Sequence, residues 1–180
     1  GIGGHCWFAE NLLSTHYANG EEITGNLSDF DWSTWTLGAQ AAFGNNDENL
    51  DDFGRLYNWY ACGHPGGICP TGWHRPSLPE WITLDAFLGG SGYAGLKLKS
   101  TSEDNPSWDG LNLVGFSAVP GGKRSADGEF LDVDSIGEYW TSSSNGSFLG
   151  RTKKMISGSD PNHQQQSSLQ TGHSVRCVKD

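Results

Sequence analysis

Four side chains that commonly bind zinc lie within thirteen consecutive residues: Cys62, His64, Cys69 and His74. Tetrahedral zinc sites usually separate paired cysteines by roughly two to four residues and paired histidines by roughly three to five. Here the successive gaps are one, four and four residues, and the single-residue gap fits zinc poorly. A nucleophilic Cys69 with His74 as its base is a second interpretation, since a reactive thiolate needs a lowered pKa and a nearby base. We favour neither, because disulfide bonds explain the same cysteines and His74 is expected to pack beneath a helix.

The chain has four cysteines, at positions 6, 62, 69 and 177, and no Cys-x-x-Cys motif. An even number of cysteines in an acidic, aromatic-rich chain favours two disulfides and an oxidising compartment. The residues themselves leave several pairings open.

The densest cluster of side-chain oxygens lies in residues 45–52, NNDENLDD. Calcium prefers several oxygen ligands from one flexible loop. We therefore consider Asp47, Asn49 and Asp51 as ligands of a structural calcium, although the spacing is not that of an EF-hand. The alternative is a solvated acidic loop without a metal.

Trp108 lies in the polar segment SEDNPSWDG, beside Asp109 and close to Asn105. Sugar rings stack on exposed aromatic side chains, while neighbouring polar groups bind the hydroxyls. This segment is therefore predicted to form an exposed sugar platform. The alternative is that Trp108 covers a small apolar cluster under a loop.

Three of the eleven basic residues lie together in the segment RTKK, residues 151–154. In a strand, Arg151 and Lys153 would point to one face and could bind a sulfate or uronate group. The alternative is a charged edge strand that discourages aggregation. His163 and Gln164 follow on a polar segment and could add hydroxyl contacts, and Asn145 opens the same late surface.

Composition limits the classes of function. The chain has 180 residues, a formal charge of −10, 26 glycines and eight tryptophans, which favours one loop-rich domain with short strands. A surface this acidic repels phosphate, so nucleic acid is not an expected partner. No stretch approaches the apolar length of a membrane span, so we expect no membrane insertion. The start at Gly1-Ile2-Gly3-Gly4 suggests a module of a longer polypeptide.

The pattern of elements predicts an α+β fold. Ser77 and Glu80 have the spacing of a capping box. A face at helical spacing follows until Gly89 and consists of Trp81, Leu84, Asp85 and Leu88. A second short helix is predicted at 92–99, and residues 53–61 also show helical spacing. After residue 100, short strands separated by turns predict small antiparallel sheets. Residues 157–172 are too polar for the core and are expected to be an extended loop or a ligand-contacting surface.

Seven segments together resemble the Fibrobacter succinogenes major paralogous domain family: WFAENL, FGRLYNWYA, CPTGWHRPSLPEW, AGLKLKS, GFSAVPGGKR, EYWTSS and SVRCVKD. The resemblance covers nearly the whole chain in order. It implies an extracellular or surface module whose fold is C-type-lectin-like and related to the sulfatase-modifying enzymes. Two short helices, small sheets and a disulfide-stapled, loop-rich frame are then expected.

The resemblance also implies a cysteine pairing. Cys69 and Cys177 lie in segments typical of the family and are expected to pair, which leaves Cys6 and Cys62 for each other. Cys6 and Cys62 themselves depart from the family pattern. The alternative pairs Cys62 with Cys69 and Cys6 with Cys177.

These observations lead to one functional prediction for residues 1–180. The chain is expected to be a non-catalytic carbohydrate-binding module of a secreted or surface bacterial protein, tethered to other domains and without a cofactor other than a structural calcium. Its ligand would be a polysaccharide, with an anionic one considered. The alternative is a protein-recognition or adhesion module. A glycan hydrolase or a cysteine-dependent oxidase is less favoured, because no acid or thiol is marked as catalytic and a fold alone does not imply a function.

Overall fold

The computed structural model describes all 180 residues, and its longer elements lie after residue 77. The helices are α1 (Asp29–Thr34), α2 (Leu50–Phe53), α3 (Trp59–Cys62), α4 (Leu78–Phe87) and α5 (Ser91–Leu98), with 3-10 turns at Phe43–Asn45 and Asp47–Asn49. The strands are β1 (Gln40–Ala42), β2 (Arg55–Tyr57), β3 (Trp73–His74), β4 (Gly121–Arg124), β5 (Phe130–Val133), β6 (Ile136–Asn145), β7 (Leu149–Ile156), β8 (His163–Ser168) and β9 (Val178–Lys179). None of the helices combines the length and apolar character that crossing a membrane requires.

Three sheets organise these strands. Two are small antiparallel pairs, β1–β2 and β3–β9, and the third has five strands in the order β5-β4-β6-β7-β8. Within the large sheet only the β4–β6 neighbours are parallel, through Gly122 and Gly137. The predicted mixed α+β class with few short helices, several sheets and a disulfide is therefore confirmed.

Helix α4 begins as its sequence predicts. The Ser77 hydroxyl accepts from the Glu80 amide, and the Glu80 carboxylate accepts from the Ser77 amide at 2.6 Å. The predicted inner face is buried at Trp81, Leu84 and Asp85. The helix ends before Gly89 and Gly90, whose positive φ angles favour glycine. Helix α5 then occupies residues 91–98, one residue earlier than predicted.

His74, in β3, has a structural role beside this helix. Its Nε2 lies 2.8 Å from Glu80 Oε1 and its Nδ1 lies 2.6 Å from Asp180 Oδ1. Burial acts to lower the pKa of His74, but the hydrogen bonds to the two carboxylates raise it above its ordinary value. The protonated imidazole therefore ties the start of α4 to the end of the chain.

Residues 53–61 do not form the single helix that their spacing predicts. Gly54 adopts a φ of 71° and ends α2, and Arg55–Tyr57 then pair with β1. The Tyr57 amide and carbonyl also bond to the backbone of His173. Tertiary pairing thus overrides the local helical pattern, as it commonly does in short segments.

The polar segment at 157–172 contains a strand instead of forming only a loop. Strand β8 pairs antiparallel with β7 from Lys154–His163 to Leu149–Ser168 and forms the edge of the large sheet. Its glutamines at 164–166 are exposed. An edge strand with one open side tolerates such polarity, so composition alone did not reveal it.

Two large apolar clusters fill most of the interior, and a third, of three buried residues, surrounds Trp32. The larger packs helices α4 and α5 against the sheet and contains Trp7, Trp81, Phe116 and Tyr139. The smaller contains Trp140 together with both half-cystines, Cys69 and Cys177. The aromatic rings meet mostly edge to face or tilted, the arrangements that such rings prefer.

The Cys69–Cys177 pairing is confirmed, and it joins positions 108 residues apart. The expected Cys6–Cys62 pairing is wrong, because both thiols are free. Cys62 lies inside the smaller apolar cluster, whereas Cys6 is exposed, so the two thiols do not meet. Burial raises the pKa of Cys62 to about 11, although the nearby Arg75 acts to lower it. At neutral pH this thiol therefore stays protonated and unreactive.

Candidate functional site

Trp108 is not an exposed platform, so that part of the predicted sugar site is wrong. The side chain is 6% exposed and packs in the larger apolar cluster. Its indole N–H donates to Ser157 Oγ at 2.7 Å. Gly137 makes room for the ring, since a Cβ there would lie 3.0 Å from the indole. The loop after α5 therefore folds inward, and Trp108 belongs to the larger cluster instead of covering a small one under a loop.

Asp109 is engaged in contacts within the protein. Its Oδ1 lies 2.7 Å from the ammonium of the buried Lys99, and its other oxygen accepts from the Gly158 amide. Burial acts to raise the pKa of Asp109, but the Lys99 and Gly158 hydrogen bonds lower it overall. Asp109 thus ties two loops together and is not free for a ligand.

The predicted anion clamp of Arg151 and Lys153 does not form. Lys153 lies beneath α4, where its ammonium is 2.6 Å from Asp85 Oδ2, and the two side chains are 3% and 5% exposed. Arg151 is half-buried, and its Nε donates to the Ser144 carbonyl at 3.4 Å. Arg151 and Lys153 do lie on one face of β7, as strand alternation predicts, but α4 covers only Lys153.

The two predicted asparagines lie apart from each other and from that strand face. Asn145 is exposed at the end of β6, opposite Leu149. Asn105 lines an acidic cleft of about 300 Å³, where its amide donates to Asp52 Oδ1 at 2.9 Å. Asp51 lines the same cleft. The eight predicted ligand residues therefore do not form one surface.

The three calcium candidates also have separate contacts. Asp47 lies 3.8 Å from the guanidinium of Arg55, and the Asn49 amide donates to the Phe43 carbonyl at 2.9 Å. Asp51 is in the first turn of α2. No group of three or more His, Cys, Asp or Glu side chains is arranged to hold a metal ion. A calcium at these residues remains a prediction.

Three predicted residues do come together, in a second cleft of about 390 Å³ between α4, the start of α5 and the β7–β8 edge. We call it the helix–sheet cleft. Lys153, His163 and Gln164 line it together with Asp85 and Asn162. The register explains the grouping, since Gln164 is paired with Lys153 and His163 with Lys154 across β7 and β8.

Asp85, Lys153 and Asn162 form a closed polar triangle at the base of the helix–sheet cleft. Lys153 donates to Asp85 Oδ2 at 2.6 Å and to the Asn162 carbonyl at 3.0 Å, and the Asn162 amide donates to Asp85 Oδ1 at 2.8 Å. All three side chains are buried. The positive and negative charges compensate each other, as buried charges require.

Two hydrogen-bonding groups of this triangle remain unpaired. Asn162 Oδ1 is buried and has no partner. An ammonium group has three hydrogen-bond donors. Lys153 uses two of them, one for Asp85 Oδ2 and one for the Asn162 carbonyl. One acceptor and one donor are therefore free on side chains that line the cleft, which matches the needs of a hydroxyl group.

The comparison with known protein families identifies the chain. A family model described as Fibrobacter succinogenes major domain matches residues 1–179. The chain belongs to this family. No curated protein and no solved structure matches it.

In this Fibrobacter succinogenes major domain, the segments that carry the resemblance build the frame around the cleft. CPTGWHRPSLPEW supplies Cys69, β3 and the start of α4. SVRCVKD supplies Cys177 and β9, which pairs with β3. The disulfide and this two-stranded sheet therefore fix α4, which carries Asp85, against the rest of the fold.

Sequence reasoning missed Asp85 and Asn162 as site residues. Asp85 was part of the inner face predicted for α4, and a carboxylate among apolar positions signals a buried partner of opposite charge. Asn162, in the segment Asp160-Pro161-Asn162, gave no comparable signal, because its role depends on contact with Asp85, 77 residues away in the sequence.

Proposed function

We propose that this domain is a C-type-lectin-like glycan-binding module that binds a neutral, hydroxyl-rich polysaccharide in the helix–sheet cleft. The unpaired Asn162 oxygen and the spare Lys153 donor carry the proposal. A sugar hydroxyl both donates and accepts hydrogen bonds, so it can satisfy the two together. Gln164 and His163, at the side of the cleft, would bind neighbouring hydroxyls.

The charge distribution favours a neutral glycan over an anionic one. The Lys153 ammonium is already compensated by Asp85, and the chain as a whole carries a formal charge of −10. A sulfated or uronic-acid polymer would be repelled by this field. The anionic ligand considered from the RTKK segment is therefore not part of the proposal.

The setting we propose is outside the cell, in a secreted or surface-anchored protein with further domains. The Cys69–Cys177 bond supports it, since disulfides persist in oxidising compartments and are rare in the cytosol.

Affinity electrophoresis against a panel of neutral and sulfated polysaccharides, followed by calorimetry with the best ligand, tests the proposal. Gln164→Ala should weaken binding about five- to tenfold, the loss expected for one or two hydrogen bonds. Gln165→Ala is the matched control, because Gln165 is the next residue on the same strand and points to the opposite face of the sheet. Arg151→Ala should also leave affinity unchanged.

Two results would overturn this placement. One is that no neutral polysaccharide binds while a sulfated polymer does. The other is a loss of affinity in Arg151→Ala with none in Gln164→Ala, which would move the site to the β6–β7 end of the sheet.

Protein recognition is a second candidate, favoured by the turn between β6 and β7. Phe148 there is 82% exposed and follows the polar stretch Ser142–Ser147, part of which is in β6. An exposed aromatic side chain within a polar surface is typical of protein contacts. Loss of binding to a protein ligand in Phe148→Ser, with glycan binding intact, would support this candidate.

A further inference from the structure

A third pocket, of about 280 Å³, lies on the face of the large sheet opposite the helix–sheet cleft. The pocket is lined by Ser167 of β8, Glu138 of β6 and His173, together with Lys123 and Lys154. We call it the serine pocket. None of these side chains takes part in the proposed glycan site, so the two sites can be tested separately.

Ser167, His173 and Glu138 are arranged as a nucleophile, a base and an orienting acid, respectively. Ser167 Oγ lies 2.8 Å from His173 Nε2. His173 Nδ1 is buried and has no hydrogen-bond partner; the Glu138 carboxylate faces it, with Oε2 3.8 Å away, beyond hydrogen-bond distance. Such contacts are often loose in a ligand-free enzyme and shorten on substrate binding. Chain order does not matter for this constellation, which is recognised by geometry.

The surroundings hold the imidazole in place. The backbone of His173 forms both hydrogen bonds of an antiparallel bridge with Tyr57, at 2.9 and 3.0 Å. The Trp140 ring meets the imidazole edge to face, with centroids 4.6 Å apart. Glu138 is fixed in turn, because the Thr152 hydroxyl donates to its other oxygen. A base fixed on two sides in this way is preorganised for proton transfer.

The protonation state of His173 also suits a general base. Burial lowers the pKa of His173, and the positive charges of Lys123 and Lys154 lower it further, while the Glu138 carboxylate opposes them. The imidazole is therefore neutral at neutral pH and can accept a proton. The chemistry requires the tautomer with hydrogen on Nδ1, which faces the Glu138 carboxylate.

We propose that Ser167, His173 and Glu138 form an acyl-transfer site that hydrolyses short-chain esters. The Ser167 hydroxyl passes its proton to His173 Nε2 while Oγ bonds to the ester carbonyl carbon. Collapse of the tetrahedral intermediate breaks the bond to the alcohol oxygen, and His173 returns the proton to the departing alcohol. Water then attacks the acyl-serine, again with His173 as base, and the carboxylic acid leaves as Ser167 regains its proton.

The size and lining of the serine pocket define the substrate class. Only Ala126 and Leu131 of its lining residues are apolar, so a long acyl chain would gain little by entering. Lys123 and Lys154 line the same space. The Lys123 ammonium is paired with Asp132 at 3.0 Å, so Lys154 would stabilise the negative charge that develops on the carbonyl oxygen. Acetyl and other short acyl esters of polar alcohols fit this description. A domain with this activity would be catalytic, unlike the non-catalytic module expected from the sequence.

Labelling of the purified chain with a fluorophosphonate, mapped by peptide mass spectrometry, tests the proposal without knowledge of the natural ester. We expect one adduct per chain on Ser167, and none in Ser167→Ala. Ser168→Ala is the matched control, because its hydroxyl bonds to Gln170 and not to His173, and it should label like the unchanged protein. His173→Gln should slow labelling by about a hundredfold or more, the usual contribution of a general base.

His173 is fully buried, so its substitution could weaken the fold. Glu138→Gln keeps the shape of the side chain and removes its charge, so it provides a second variant that tests the same site. It should slow labelling at least about tenfold because the imidazole loses its orienting charge. The labelling rate should reach half its maximum below pH 6.5, the ordinary imidazole value, since the neutral base is the active form. Absence of an adduct on Ser167, or equal labelling rates in the unchanged protein and Glu138→Gln, would overturn the assignment.

Discussion

The buried pair of Asp85 and Lys153 should stabilise the fold only while both charges are present. Their 2.6 Å contact is almost completely shielded from water, with side chains 5% and 3% exposed. At an effective dielectric constant of about 20, two unit charges at this separation attract by roughly 6 kcal/mol, and desolvation of both charges offsets much of that. Asp85→Ala leaves the Lys153 ammonium buried with only the Asn162 carbonyl as partner. We therefore expect a loss of about 3–5 kcal/mol in the free energy of unfolding.

Guanidinium denaturation under non-reducing conditions measures this loss as a shift of the midpoint at constant slope. The double variant Asp85→Leu with Lys153→Met should be more stable than Asp85→Ala, because it removes both charges and keeps apolar volume. Asp47→Ala is the control, since Asp47 lies 3.8 Å from Arg55 with 79% of its side chain exposed, and it should cost less than about 1 kcal/mol.

A loss of unfolding free energy in Asp85→Ala no larger than in Asp47→Ala would show that the buried pair does not stabilise the fold. A double variant no more stable than Asp85→Ala would show that the instability does not come from an unpaired charge.

Three further predictions follow from single contacts. In unreduced protein, a thiol reagent should titrate Cys6 rapidly and Cys62 only after unfolding, because Cys62 is buried with a pKa raised to about 11 by that burial; two rapidly reacting thiols in the folded protein would contradict this. His74→Gln should destabilise the fold at about pH 5.5 and much less at about pH 9. Burial acts to lower the pKa of His74 but its two carboxylate partners raise it overall, so the stabilisation is complete below about pH 6.5 and disappears as pH rises through the folded-state pKa. A destabilisation that grew with pH would show that the charged form is not the one that binds. Gly150→Ala would force a methyl group against the Trp59 and Trp140 rings and should lower the unfolding free energy by about 1–3 kcal/mol; an unchanged thermal midpoint would contradict this packing.

The sequence predicted most reliably those structural features whose physical cause lies in neighbouring residues. The capping box that starts α4 acts over three residues, and glycine follows the helix where left-handed backbone is needed. The resemblance to a family correctly indicated the Cys69–Cys177 bond. Local patterns were less reliable at 55–57, where pairing with β1 replaced a helix.

The candidate sites depended on contacts between distant parts of the chain. RTKK indicated two cations on one strand face, and only the position of α4 showed that Lys153 is buried against a carboxylate 68 residues away. Trp108 lies in a polar segment, yet Gly137 leaves a space for its ring in the core. Ser167, His173 and Glu138 carry no sequence motif, because three separate segments contribute them.

From its sequence alone, this protein can be assigned an α+β class, a helix start and an acidic surface, because side-chain periodicity, capping and charge depend on neighbouring residues. The tertiary structure decided which polar groups are compensated and which remain unpaired, as at Asn162 and His173. The physical reason is that burial and electrostatic pairing depend on which elements pack together, and packing is a property of the whole chain.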